Sequence, residues 1–234
     1  MHIRILRDVY MVGGQDSHLV YLDWDAGDGN VYIVDTGDTQ VLIDCGCGET
    51  LPMILENIKG AEFDLKDISH LILTHEHFPH AAGADAVQRM GVEVVAAAAT
   101  VEAWGRPDPV ATLAFRFHRE PVRASIGRRA EDDEIFTVGR CDFRFLLSPG
   151  HSAGGLSVLV TLQEGIVLFS GDTVLPPVYP VGAAGPDADP ALELKSLRRL
   201  LDERPDVVLP GHGWPCLSHG HAWIESRIAA LVDA

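Results

Sequence analysis

Short apolar runs separated by glycine-containing turns dominate this chain. Tyr10 to Val12, His18 to Trp24, Asn30 to Asp35 and Gln40 to Asp44 read as successive strands, broken by Gly-Asp-Gly and Thr-Gly-Asp turns. Glu49 to Ile58 reads as a helix, with Pro52 in its first turn and Lys59-Gly60 at its end. His70 to Thr74 is a strand, Ala82 to Met90 a helix and Val92 to Ala96 a strand. Further strands are expected at about 135–138, 142–147, 156–162 and 165–170, then a helix near 190–203, a strand at 206–209 and a helix near 219–233. This alternation predicts an α+β chain folded as an αββα sandwich, two mixed β-sheets packed face to face with helices on the outer faces. A single domain over 1–234 is expected, since 234 residues suffice for one substantial core.

Composition narrows the function more than the fold. The formal net charge of −16 argues against a nucleic-acid partner, because phosphate binding rests on Lys and Arg. The start, Met1 to Asp8, lacks the apolar core of a signal peptide, and no apolar run is long enough for a membrane span. Four cysteines without a paired Cys-x-x-Cys pattern agree with a reducing, cytoplasmic setting. Cys45 and Cys47 read as structural thiols at the end of a strand, with Cys216 the better candidate to lie near His212.

The chemistry is concentrated in Leu71-Ile72-Leu73-Thr74-His75-Glu76-His77-Phe78-Pro79-His80. An apolar strand ends there in three histidines within six residues. Alternate residues of an extended chain project to one side, so His75 and His77 can share a ligand, and His80 can close in once the chain turns. Imidazole is the commonest side-chain metal ligand, and such a cluster suits zinc or iron. Three more apolar strands each deliver one His or Asp into a glycine-containing turn. These are Pro149-Gly150-His151, Ser170-Gly171-Asp172 and Pro210-Gly211-His212.

Together these motifs resemble the metallo-β-lactamase-fold superfamily over nearly the whole chain. The family pattern is His-x-His-x-Asp-His, then a lone His, a bridging Asp and a final His. The resemblance implies that His75, His77 and His151 hold one metal, that His80 and His212 hold a second, and that Asp172 bridges them. It also implies catalytic roles for Asp172 and His212. The family's early Asp-x-Gly is matched by Asp44-Cys45-Gly46, where a carboxylate would orient a ligand histidine.

One position departs from the pattern. Pro79 stands where the family has the Asp that, in its hydrolases, ligates the second metal and orients the attacking water. Proline offers neither an acceptor side chain nor an N–H, although it suits the first turn of a helix. With one carboxylate fewer, a two-metal centre is more positive and its second site is expected to be weaker. Glu76 and Asp85 are poor substitutes: Glu76 should point away from its flanking histidines, and Asp85 should lie on the next helix. Water is the better candidate.

The leading expectation is a metal-dependent hydrolase of a small-molecule ester, thioester, lactone or amide, using a metal-activated hydroxide and one or two zinc ions. A β-lactam is the less expected substrate, given the missing export signal. One alternative is a mononuclear-iron oxidoreductase resembling the family's persulfide dioxygenases, with His75, His151 and Asp172 as its ligands. Another is a member that binds metal or ligand without turnover. Gly105 to Arg128, with Arg106, Phe115, Phe117, His118 and Arg119, and Val174 to Pro190, with Tyr179, are candidate substrate walls. Their alternative use is as connectors or as a homodimer contact. His118, His219 and His221 carry no motif and read as ordinary histidines.

Overall fold

The structure is a computed structural model that describes residues 2–14, 28–180 and 185–233; the expected strand from His18 to Trp24 lies outside them. Among the described residues, the first sheet runs in chain order through β1 (Ile3–Leu6), β2 (Val9–Gly13), β3 (Val31–Asp35), β4 (Gln40–Ile43), β5 (Ile68–Ile72), β6 (Glu93–Ala96) and β7 (Arg128–Arg129). The first four strands pair antiparallel and the rest parallel. The second sheet has the order β12 (Val207–Pro210), β11 (Gly165–Gly171), β10 (Leu156–Leu162), β9 (Cys141–Leu147) and β8 (Ile135–Val138), with only the β11–β12 pair parallel.

Strand alternation sorts the apolar side chains into layers. From β3, Tyr32 and Val34 face the second sheet, where they meet Phe143, Phe145, Val158 and Phe169. The intervening Val31 and Ile33 face outward, beneath α1 (Leu51–Gly60), α3 (Ala84–Arg89) and α4 (Ala98–Gly105), through Ile54, Ile58, Val87 and Trp104. Leu146, Leu159, Leu168 and Val208 similarly pack under α5 (Pro190–Asp202) and α6 (Gly220–Val232) through Leu197, Leu200 and Ile224. Each fully buried side chain of this kind is worth about 1.5–3 kcal/mol. The αββα sandwich expected from the sequence is the observed fold.

Three local readings change. The Ala-rich segment after His80 is not one helix: a short α2 (Phe78–Ala81) holds Pro79 in its first turn, and α3 starts afresh after Gly83. There the Gly83 N–H bonds to the Gly46 carbonyl (3.3 Å), which ties the break to the turn after β4. The helix expected from Glu49 begins instead at Leu51, after Thr50, whose side chain makes no capping bond. α4 fills a stretch for which the sequence had suggested no element; its cap, Ala97, makes no side-chain bond, so the usual start signal is absent.

Candidate metal centre

Each functional side chain sits just past the C-terminal end of a strand. Asp44 follows β4, the His75–His80 run follows β5, His151 follows β9, Asp172 follows β11 and His212 follows β12. Strands buried on both faces make a rigid floor, and the turns beyond them converge at one edge of the sandwich. The structure brings His75, His77, His80, His151, Asp172 and His212 together there. Asp172 lies at the middle. Its Oδ2 is 3.4 Å from His151 Nε2, 3.6 Å from His212 Nε2 and 4.0 Å from His75 Nε2, and its Oδ1 is 3.5 Å from His80 Nε2. Gly211 permits this, since a Cβ at that position would overlap the Asp172 carboxylate.

The donor atoms fit a metal. His77 Nδ1 faces His151 Nε2 at 3.1 Å, and His80 Nε2 faces His212 Nε2 at 3.2 Å. Two imidazole nitrogens on one tetrahedral zinc would stand about 3.3–3.4 Å apart. His75 Nε2 and Asp172 Oδ1 are buried without a hydrogen-bond partner among the described residues, as is His77 Nε2. Buried polar atoms are seldom left so, and an ion is one of the things that satisfies them. Two triplets have ligand atoms within 4.8 Å of one another: His75, His77 and His151, and His75, His80 and Asp172.

Asp44 aims two of the histidines. Its Oδ2 accepts from His80 Nδ1 (2.9 Å) and from the Thr74 hydroxyl (2.7 Å), while its Oδ1 accepts from the Thr74 N–H (2.8 Å). With its proton given to Asp44, the Thr74 oxygen accepts from His75 Nδ1 (3.0 Å). This bonding assigns a proton to Nδ1 in both rings and turns each Nε2 toward Asp172, where a bound metal would meet it as a neutral nitrogen. Asp44 itself has φ 61°, a conformation that Asn also tolerates. Asp44→Asn should therefore keep the turn but place an NH2 against groups that already donate. Metal affinity is expected to fall by about 10–100-fold, as measured by competition with a chromophoric chelator.

Burial and charge set the protonation of the cluster. Burial, reinforced by neighbouring histidines, holds His75 and His77 well below the usual imidazole range. Burial likewise lowers His151, and it lowers His212 to about 4. At His80 burial is outweighed by Asp172 and Asp44, which raise it to about 10. Burial works against the charge of Asp172, but His212 and His80 prevail and keep the carboxyl well below its ordinary value.

Neither substitute carboxylate faces the cluster. Asp85 pairs with Arg89 one helical turn away. Glu76 points away from the histidines, as strand alternation requires, and its role is one the sequence did not reveal. Its carboxylate accepts from the Gly154 N–H (3.0 Å), the Thr100 hydroxyl (3.0 Å) and the Ser152 hydroxyl (3.3 Å), while its carbonyl accepts from Trp104 Nε1 (2.9 Å). It thus fastens the His151 turn and α4 to the triple-histidine loop. Glu76→Ala would strand these buried donors and should cost about 1–3 kcal/mol of stability in denaturant unfolding.

The remaining candidates separate clearly. Tyr179 packs its ring against Gly213, beside His212; burial and then Asp172 raise its hydroxyl pKa. Phe117 stacks on Phe78 with ring centroids 5.2 Å apart, and Arg116 is close enough to His77 to disfavour its protonation. Phe115, Arg106, His118, Arg119 and His219 are exposed, and His221 is half-buried. Cys45 donates to the His80 carbonyl (3.3 Å), whereas the Cys216 thiol turns to the Ser218 carbonyl (3.1 Å) rather than to the cluster. Burial raises both thiols, which suits a structural role.

Comparison with known proteins agrees with this geometry. A family model described as the metallo-beta-lactamase superfamily matches residues 24–212. An atrochrysone carboxyl ACP thioesterase from Aspergillus fumigatus is 30% identical over 184 residues, covering 79% of this chain and 50% of that protein. A beta-lactamase-like protein 2 homolog from Drosophila melanogaster is 27% identical over 186 residues, covering 79% of this chain and 58% of that protein. The chain spans about half the length of these curated relatives. A metallo-beta-lactamase with an HARLDQ motif from Cronobacter sakazakii superposes with a TM-score of 0.78 at 20% identity, covering 99% of this chain and 93% of that one, a likeness of fold alone. With its layered sheets and its residues 24–212 matched, the chain belongs to the metallo-β-lactamase superfamily.

Proposed function

We propose that this protein is a metal-dependent hydrolase of a small-molecule ester, thioester, lactone or amide. The observation that carries the reading is the five-histidine, one-aspartate cluster, buried but for the half-buried His212, in which His75 Nε2 and Asp172 Oδ1 have no hydrogen-bond partner among the described residues. His75, His77 and His151 would hold one ion, His80 and His212 a second, and Asp172 would lie between them. A bound ion supplies an acidified water as nucleophile and a positive charge that polarises the scissile carbonyl.

The chain's own residues supply the rest. Asp44 and Thr74 fix the tautomers of His80 and His75, so that neutral nitrogens face the ions. Glu76 holds the His151 turn. Asp172, kept ionised by its histidines, would share its negative charge between the ions and is too weak a base to carry a proton, so the acidified water would lose its proton to solvent. Tyr179 on one side and Arg116 with Phe117 on the other would wall the substrate. Relatives named as thioesterases make a thioester the first substrate to try. The formal charge of −16 supports a small molecule over a nucleic acid.

The test is a panel of acyl thioesters, aryl esters, lactones and amides, assayed with zinc-loaded and metal-stripped protein. At least one compound should turn over with metal and stop without it. A panel equally inert in both forms would overturn the reading.

A further inference from the structure

Asp44 fixes His75 and His80, and none of its hydrogen bonds goes to His77. The His77 ring turns Nδ1 toward His151 Nε2 at 3.1 Å, so Nδ1 is the nitrogen placed to meet a shared ion and Nε2 is the outer one. A neutral imidazole that binds metal through one nitrogen carries its proton on the other. His77 Nε2 is then a buried donor, and it has no hydrogen-bond partner among the described residues. Ligand histidines nearly always pass that proton to a carboxylate, a carbonyl or a water.

A buried acceptor with the same deficit lies beside it. Asp187, in the stretch before α5, has its Oδ1 buried and unpartnered among the described residues. Gly185 is the common neighbour of the two atoms. The point where a Cβ on Gly185 would sit is 2.8 Å from Asp187 Oδ1 and 3.3 Å from His77 Nε2, with Leu113 Cδ2 at 3.1 Å. The other carboxylate oxygen is already engaged: Asp187 Oδ2 accepts from the Ala153 N–H at 3.1 Å. The Asp189 N–H donates to the Gly150 carbonyl at 2.8 Å, which seats the same stretch on the His151 turn. Asp187 therefore grips the turn of one ligand in the His75, His77 and His151 set while its unpartnered oxygen lies beside another.

We propose that Asp187 orients His77 by taking its Nε2 proton in a hydrogen bond relayed through one buried water, as Asp44 orients His80 directly. No direct bond joins the two atoms, and one water gives both a partner. The carboxylate makes the imidazole a stronger ligand and holds its Nδ1 on the His151 side. It also couples the triple-histidine loop to the His151 turn. Glycine suits position 185 because a side chain there would press on both atoms. Asp187 is a positioning residue: the proposal rests on the metal-centre reading above, adds no ligand and assigns Asp187 no bond-making step.

Zinc titration against a chromophoric chelator, joined to NMR of zinc-loaded protein carrying isotopically labelled histidine, tests this without any turnover assay. The wild type should show a slowly exchanging His77 Nε2–H, assigned by its absence in His77→Ala. Asp187→Ala should lose that signal to exchange with solvent and weaken the tighter zinc site by about 10–100-fold. Asp187→Ala also removes the Ala153 contact, so a second variant separates the two effects. Gly185→Ala leaves that contact in place and sets a methyl against both atoms, and it should weaken the same site and lose the same signal. An unchanged tighter site in Gly185→Ala, or a His77 N–H that persists in Asp187→Ala, would overturn the proposal and leave Asp187 as a brace for the His151 turn. A wild type that takes up no zinc would overturn the metal-centre reading and this proposal together, whereas unchanged variants of a zinc-binding protein overturn the proposal alone. If the zinc and NMR results hold while the substrate panel stays inert, the hydrolase reading fails and this one stands.

Discussion

His77→Ala is expected to abolish turnover of any substrate found in the panel, by about 10³-fold or more, because it removes part of the group that both generates the nucleophile and stabilises the developing charge. His77 is the residue for which this effect should be largest and cleanest. It is buried, its Nδ1 stands 3.1 Å from His151 Nε2, and Asp172 is not within ion-pair distance of it in the cluster. Its loss therefore opens the first site without disturbing the Asp172-centred end. Tertiary structure should survive, since burial keeps the imidazole neutral and its removal leaves no buried charge uncompensated. Circular dichroism, and the melting temperature compared between metal-free forms, should stay near wild type while metal content falls. A His77→Ala protein that keeps both its metal and its activity would show that the imidazole is not a ligand.

The second large effect lies away from the centre. Arg227, 5% exposed on α6, faces Glu193, 2% exposed on α5, at 3.3 Å. Burial raises the Glu193 pKa, and Arg227 is what opposes the shift. The other arm of the guanidinium donates to the carbonyls of Pro180 (3.0 Å) and Tyr179 (3.3 Å), so the same side chain ties down the segment that carries Tyr179 past His212. Arg227→Met should lower unfolding stability by about 3–5 kcal/mol, the range for breaking one partner out of a buried pair. That is a large share of the 5–15 kcal/mol typical of a domain. Replacing both partners, as Glu193→Leu with Arg227→Met, should recover much of the loss, because no charge is then left buried alone. Denaturant unfolding of the two variants beside wild type measures this. Equal losses in the single and double variants would show that the carbonyl contacts, not the ion pair, dominate.

Much of the fold was legible because its signals are local. β3, β10 and β11 alternate between two largely buried faces, so their apolar runs announce strands whatever lies on either side. The six clustered residues were legible because three form one histidine run after a strand and the other three each follow a strand at a glycine-containing turn. Pro79 was read as a helix-starting residue, and α2 holds it there.

What escaped the sequence depends on contacts between distant segments. Alternation told which way Glu76 points, but not that Gly154 and Thr100 would receive it. The strand signal at Asn30 said nothing of the carbonyls of Pro210 and Gly213, some 180 positions away, to which its amide donates. α4 starts at Ala98 without a side-chain cap from Ala97, and the helix after His80 is interrupted where Gly83 meets the turn after β4. Cys216 seemed close to the centre by its distance from His212 in sequence, yet the bridge between Val208 and Cys216 turns its thiol aside.

The most direct test of the central claim is the identity and stoichiometry of metal in protein purified without added metal, determined by elemental mass spectrometry and repeated after zinc reconstitution. The account predicts zinc, with one ion per chain held tightly and a second gained on reconstitution. No retained metal after reconstitution, or a single iron per chain as the native content, would contradict it.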